Sequence, residues 1–366
     1  MTGKPQKRTR LEDAVSAFAA RTDAVLKAFI DNHRAAPVHL HDAACAYLER
    51  PAKRLRPALL LMSCGAAGGD VNQALPAAAA VELFHTWTLV HDDVIDNDRV
   101  RRGSPTVHVL GAAMAHDEFS QPPPKAEEYG RDLAILAGDV VQGWCQLLML
   151  DCRARGVPDR VVLDLLTALT GWLYPALLEG ETLDVQFSVK PVDAIERNDI
   201  LRMMTLKTGA LLEYAARAGA AVARQAPVHG TPLGDALGTF AQCCGIAFQL
   251  QDDILGIVGN EKKLGKPVGS DLREGKRTLI VYHAMQRGTH KDRQLLTQIL
   301  GNPDATDHQI HLATDCLVRL GAVDETRRTA VRYIERAVAI LTEAVPPSKY
   351  RDLLLDWAAT MVAREF

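Results

Sequence analysis

The residues of this chain best suited to chemistry are acidic and fall in two clusters on helix-like segments. The first is His91-Asp92-Asp93-Val94-Ile95-Asp96, followed by Asn97-Asp98-Arg99-Val100-Arg101-Arg102-Gly103. The second, far downstream, is Gln249-Leu250-Gln251-Asp252-Asp253-Ile254-Leu255-Gly256. On an α-helix, seven positions return the chain to within about 20° of its starting direction, and four to within about 40°. His85, Asp92 and Asp96 therefore share a face of a helix expected from about Leu75 to Asp98. Val81, Leu83, Phe84, Leu89, Val90, Val94 and Ile95 make that helix largely buried, where uncompensated carboxylates are costly. A divalent cation is the natural compensation. The same argument covers Gln249, Asp252 and Asp253, set between Phe248 and Ile254. Ligands that are all oxygen, with no nearby set of His and Cys, select Mg2+ over zinc. Mg2+ binds one or two carboxylates and keeps places for water and phosphates, so two such clusters with phosphate between them would form a clamp.

Cations complete the pattern at Lys53-Arg54-Leu55-Arg56-Pro57, Arg101-Arg102-Gly103, Lys207-Thr208-Gly209, Lys266-Pro267 and Lys276-Arg277. Each alone is unremarkable, because surface Lys and Arg are common. Together they suffice for two polyanionic groups. The balance of 42 Lys+Arg against 45 Asp+Glu gives no broad basic field, which argues against nucleic acid as a partner and makes any anion recognition local.

The elements that must hold these groups read as helices almost throughout. Apolar residues recur at helical spacing, as in Leu11, Val15, Phe18 and Ala19, and strand-like alternation is scarce. Breaks fall at Ala36-Pro37, Gly68-Gly69-Asp70, Gly103-Ser104-Pro105, Gly156-Val157-Pro158 and Ala226-Pro227. The expected fold is all-α, a single large helical bundle around a central cavity. Residues 1–10 are expected to be a flexible basic start and 11–366 one domain, with a surface loop over 115–131 marked by Pro122-Pro123-Pro124. Seven cysteines without paired metal spacings read as reduced core thiols of a cytoplasmic protein. The start of the chain forms no signal-peptide core, and no segment reads as long and charge-poor enough to span a bilayer.

These motifs, in this order, resemble those of the trans-type isoprenyl diphosphate synthases, the polyprenyl synthetase family, over about residues 40 to 290. Asp92-Asp93-Val94-Ile95-Asp96 matches the family's DDxxD, with Arg101-Arg102-Gly103 at the family's distance, and Lys53-Arg54-Leu55-Arg56-Pro57 resembles its KRxRP element. Gly138-Asp139, Lys207-Thr208-Gly209, Phe248-Gln249 through Asp253, Gly265-Lys266 through Asp271 and Gly275-Lys276-Arg277-Thr278 follow in sequence. A lone DDxxD is a weak signal; the ordered set is specific. The resemblance implies that Lys53, Arg56, His85 and Arg102 hold isopentenyl diphosphate. It places Arg101, Lys207, Thr208, Gln249, Lys266 and Lys276 around an allylic diphosphate. Asp92, Asp96 and Asp252 would ligate Mg2+, with Asp93 and Asp253 completing the acidic sets. Asp92, Asp96, Lys207, Asp252 and Lys266 would then carry catalysis, and a homodimer is implied by the family alone. The second motif departs from a full DDxxD, because Gly256 stands where its last carboxylate would be.

Product length in the family is usually limited by bulk just before the first motif. The fifth position ahead of Asp92 is Trp87, next to the small Thr88, a pattern similar to geranylgeranyl (C20) synthases, with farnesyl (C15) as the alternative. The bland reading of Trp87 is core packing, since an ideal helix puts it about 140° around from Asp92. Three rival functions remain. A class I terpene cyclase would need a second metal triad, whose spacings fail after Asn198-Asp199. A metal phosphohydrolase would be built on His91-Asp92. A non-catalytic subunit would have eroded acidic motifs, whereas here the first is complete.

Overall fold

The helix expected from about Leu75 to Asp98 runs Leu75–Ile95 in the computed structural model, which describes residues 9–259 and 269–363. Pro76 lies in its first turn, where a missing N–H costs nothing. From Leu75 to Trp87 every residue of the helix is buried, and the exceptions to apolar character are Glu82, His85 and Thr86. Each of these polar groups must find a partner inside the fold. That requirement builds much of the site described below.

The all-α expectation holds: the strands among the described residues are two dipeptides. The chain forms two compact units, the first running to Leu166 and taking in Arg217–Thr231, the second holding Thr167–Ala216 and the chain from Pro232 onward. The first contains α1 (Arg10–Asn32), α2 (Val38–Cys45), α3 (Leu55–Ala66), α4 (Leu75–Ile95), β1 (Val100–Arg101), β2 (Ser104–Pro105), α5 (Val107–Phe119), α6 (Pro123–Leu150) and most of α7 (Asp159–Ala168). Within it α4 packs against α1, α3 and α6. The second contains α8 (Tyr174–Val189), α9 (Arg197–Met204), the start of α10 (Ala210–Arg224), α11 (Pro232–Val258), α12 (Ser270–Arg273), α13 (Leu279–Arg287), α14 (His290–Ile299), α15 (Asp307–Arg319), α16 (Ala322–Ala344) and α17 (Lys349–Val362). There α11 packs against α16 and α17.

Three sequence expectations are corrected. The loop expected over 115–131 is helical at both ends: α5 runs to Phe119 and α6 starts at Pro123. Prolines lack the N–H that a first turn leaves unused and arrive with a helical φ, so here the run opens a helix. Second, two helices meet the length and composition of a membrane span, Pro123–Arg155 and Asp159–Val189, with mean hydropathies of 1.5 and 1.6 in their most apolar windows. The sequence reading passed over them because their charges crowd the ends; between Leu133 and Leu150 only Asp139 is ionisable as an acid or base of the Asp, Glu, Lys or Arg type. Those windows are 56% and 39% buried within the fold. Third, Thr9 and Arg10 are not part of a loose start. Thr9 caps α1 in a reciprocal box with Glu12, while residues 1–8 lie outside the described region.

The cysteines follow expectation, all seven being free and buried. Burial pushes the thiols of Cys45, Cys64 and Cys152 up to about 12, so they are poor nucleophiles.

Candidate active site

In the first unit the site grows from the buried polar groups of α4. Glu82, 4% exposed, accepts from Arg54 Nη1 at 2.7 Å. Arg54 also donates to Asp23 and to the Leu48 carbonyl, both at 2.8 Å, and it sits at the N-cap of α3 in the left-handed region with φ 48°. A non-glycine residue holds that conformation only when its surroundings over-determine it. Here the three contacts of the guanidinium do so. Arg54 thus fixes the turn from which Lys53 and Arg56 emerge.

One turn along α4, His85 accepts from Arg56 Nη1 across 2.9 Å. Burial, then Arg56, Arg102, Arg101 and Arg54, push the His85 pKa well below its usual value, so the imidazole is neutral and can accept from a guanidinium. Lys53 and Arg102 are exposed and have no ion pair among the described residues.

The first acidic motif divides by face. Asp93 is fully buried and accepts from Tyr47 Oη and from Arg101 Nε, the latter at 2.6 Å. Asp92 accepts from Arg101 Nη2 at 3.1 Å, and Asp96, at the C-cap of α4, is exposed. Arg101 reaches both carboxylates because β1 and β2 form a hairpin whose two turn residues, Arg102 and Gly103, have φ of 54° and 75°. Positive φ at both positions is the pattern of a type I′ turn, the tightest way to reverse a twisted strand. Burial opposes the charge on Arg101, but Asp93 and Asp92 raise its pKa above the ordinary value. Asp93, expected among the acidic ligands, is thus already engaged by Arg101 and Tyr47.

Trp87 is 2% exposed and packs edge-on against Phe84 and His91, with ring centroids 5.1 and 5.7 Å away. Thr88 donates to the His85 carbonyl at 2.8 Å. His91 Nε2 lies 3.1 Å from the Ile135 carbonyl of α6, and a Cβ at Gly138 would stand 2.1 Å from that same nitrogen. Gly138 is therefore required by the packing of His91. A hydrolase using this histidine as a free base loses its support.

In the second unit Lys207 and Thr208 lie in a π-helical turn, Thr205–Gly209, between α9 and α10. Such turns are rare and recur at functional sites. Lys207 Nζ is 3.0 Å from Glu181 and 2.6 Å from Asp184, both on α8. A Cβ at Gly180 would lie 2.3 Å from the backbone nitrogen of Lys207, so glycine is what lets α8 approach this turn. Thr208 Oγ1 donates to Gln249 at 3.1 Å, and Gln249 Nε2 donates to Asp253 at 3.1 Å.

Asp253 is 5% exposed, and its Oδ2 is buried without a partner among the described residues. Burial and then Asp271 drive its carboxyl well above the usual range. Lys276 Nζ lies 3.6 Å from Asp271 and 3.3 Å from Glu274. A Cβ at Gly256 would stand 2.6 Å from Asp271 Oδ2, so the volume of the missing motif side chain is taken by another carboxylate. Lys266 lies outside the described residues.

Sequence alone assigns no individual role to Tyr47, Arg54 and Glu82 in the first unit or to Glu181, Asp184 and Asp271 in the second. Glu181 and Asp184, three apart on an apolar helix, were the legible signal among them. Among the described residues no three His, Cys, Asp or Glu side chains gather closely enough to hold an ion by themselves. A cation that keeps water and phosphate oxygens as ligands fits such sparse carboxylates, and the partnerless Asp253 oxygen is a donor suited to it.

Residues 37–317 match the family model described as Polyprenyl synthetase. The chain is 35% identical, over 86% of its length and 86% of the relative's, to a short chain isoprenyl diphosphate synthase of Methanothermobacter thermautotrophicus. Among solved structures it is similar to the geranylgeranyl pyrophosphate synthetase of Pyrococcus horikoshii, with TM-score 0.84 and 32% identity, covering 97% of this chain and 98% of that one. It is also similar to the geranylgeranyl pyrophosphate synthase of Corynebacterium glutamicum complexed with isoprenyl diphosphate and magnesium, with TM-score 0.83 and 26% identity over 98% of this chain and all of that one. With its ordered motifs, its all-α fold and a family match over most of its length, this chain belongs to the polyprenyl synthetase family.

Proposed function

We propose that the chain makes geranylgeranyl diphosphate, as a homodimeric, Mg2+-dependent, cytoplasmic enzyme whose residues from Thr9 onward act as one catalytic domain. Membership of the family makes it a trans-isoprenyl diphosphate synthase, which condenses isopentenyl diphosphate with an allylic diphosphate. The observation that carries the reading is the charge arrangement on α4, with Arg56 on a neutral His85 and Arg101 on Asp92 and Asp93. Lys53, Arg56, His85 and Arg102 hold the isopentenyl diphosphate. Arg101, Lys207, Thr208, Gln249 and Lys276, together with Lys266, hold the allylic diphosphate. Asp92, Asp96 and Asp252 would hold Mg2+, which supplies neutralisation of the charge that develops on a leaving diphosphate.

With that diphosphate fixed by cations, the allylic C–O bond ionises and the alkene of isopentenyl diphosphate attacks the cation. A proton lost to the released diphosphate completes the product. Neutral His85 serves here as a binding group, since its depressed pKa suits it to accept from Arg56. Trp87 and Thr88 are assigned to chain length. The pairing of a second copy is supported by α6, which exposes Ile135, Leu136 and Leu147 at 45%, 55% and 42%. The free, buried cysteines support a reducing compartment.

Incubation of the folded protein with Mg2+, isopentenyl diphosphate and each of dimethylallyl, geranyl and farnesyl diphosphate tests the reading. A C20 product is expected. A C15 or longer product overturns the chain-length assignment while keeping the reaction, and no condensation with any starter overturns the activity.

A further inference from the structure

The second unit contains a cleft of about 400 Å³, lined by no residue of the acidic motifs and formed by the Pro191–Ile195 segment, α13 and α14. That volume is within the range of about 300–1,000 Å³ typical of small-molecule sites. Arg277 lines it. Its Nη1 donates to the Gly275 carbonyl at 2.9 Å, while its Nε is buried with no partner among the described residues. Burial lowers its pKa. A partly desolvated guanidinium at the wall of a cleft is suited to an oxyanion acceptor from outside.

Lys276 and Arg277 are consecutive but serve different surroundings. Lys276 is ion-paired with Asp271 and Glu274, whereas Arg277 lines the cleft. A second guanidinium, Arg293, enters from α14. Tyr282 and Gln286, four apart on α13, add a hydroxyl and an amide. The carboxylate in the lining is Asp193, so two fixed positive charges face one negative, and Val192 and Met285 supply apolar wall. Arginine pairs, with their planar forks, are suited to carboxylate and phosphate oxygens.

We propose that this cleft is a binding site for a small organic anion, with its oxyanion head on Arg277 and Arg293 and a short apolar body against Val192 and Met285. Phosphate and carboxylate heads share this chemistry. Titration of the full chain with pentyl phosphate, hexanoate and uncharged pentanol separates them, followed through the ¹³C-methyl signal of Met285. That signal is identified among the eight methionines by Met285→Leu. Saturable movement of the Met285 signal is expected with at least one of the two anions and not with pentanol. Arg293→Glu, and separately Gln286→Glu, both at exposed positions, should weaken the binding about tenfold or more while leaving the other methionine signals in place. No response to either anion, an equal response to pentanol, or undiminished binding in both variants would overturn the proposal.

Discussion

Asp93 and Asp253 hold the same place in their motifs, the second aspartate of an Asp-Asp pair on a buried helix, and they are 0% and 5% exposed. Asp93 is met by the hydroxyl of Tyr47 and the guanidinium of Arg101, so its charge is compensated within the first unit. Asp253 has one amide donor, from Gln249, a nearby like charge in Asp271, and a buried oxygen with no partner among the described residues. The difference is between an anion whose counter-ion is built into the chain and one whose protein surroundings favour its neutral form. Removing a carboxylate from water costs several kcal/mol, and that cost must be offset by a cation or avoided by a proton. The first cluster takes the former course and the second, on its own, the latter.

Five substitutions test this contrast, the largest effect first. Asp92→Ala and Asp252→Ala should each lower kcat by about 10³-fold or more, because each removes a proposed anchor for the charge that stabilises the leaving group. Steady-state kinetics with geranyl diphosphate checks this, and a loss confined to KM would contradict the assignment. Next, Arg101→Met leaves the fully buried Asp93 without its cation and should cost about 3–5 kcal/mol in urea denaturation. If Arg101→Met is as stable as the parent, Asp93 does not depend on Arg101.

Tyr47→Phe removes one hydrogen bond to the same carboxylate and should cost about 1–3 kcal/mol, leaving Arg101 in place. The smallest effect is at Asp253. A carboxyl raised in the folded state binds more protons there than in the unfolded chain, whose aspartates titrate near about 3.9. Its favourable contribution is therefore present below about pH 4 and is lost as pH rises through the folded pKa. Asp253→Asn should flatten that decline in metal-free protein and leave stability at neutral pH undiminished. A loss of stability in Asp253→Asn at pH 7 would mean that the carboxylate is ionised and compensated, as Asp93 is.

Much of this was legible in the sequence for stated physical reasons. The apolar run before Asp92 predicts α4 from Leu75 and carries it three residues past its observed end at Ile95, because a helix end is set by backbone capping rather than by apolar content. The acidic motifs and the cations of Arg56, Arg101 and Lys207 were visible as residue types at recognisable spacings. Their partners were not. That Arg54 is the buried member of Lys53-Arg54-Leu55-Arg56 follows from a left-handed backbone at residue 54 and a carboxylate on another helix, neither of which is a local signal. Nor could composition tell that Asp271 occupies the space beside Gly256, since that contact joins two helices. Pro122, at the N-cap of α6, and Pro123 and Pro124, its first two residues, point to a loop in the sequence because proline marks both loops and first helical turns, and only the packing of the following residues decides between them.

In the proposed function, both acidic clusters act through Mg2+ on an allylic diphosphate. Calorimetric binding of an unreactive allylic thiolodiphosphate, with and without Mg2+, to the parent protein, Asp92→Asn and Asp252→Asn tests it most directly. Tight binding is expected to require Mg2+, and each substitution is expected to weaken it by about tenfold or more. Equally tight binding without Mg2+, or binding indifferent to Asp252→Asn, would contradict it.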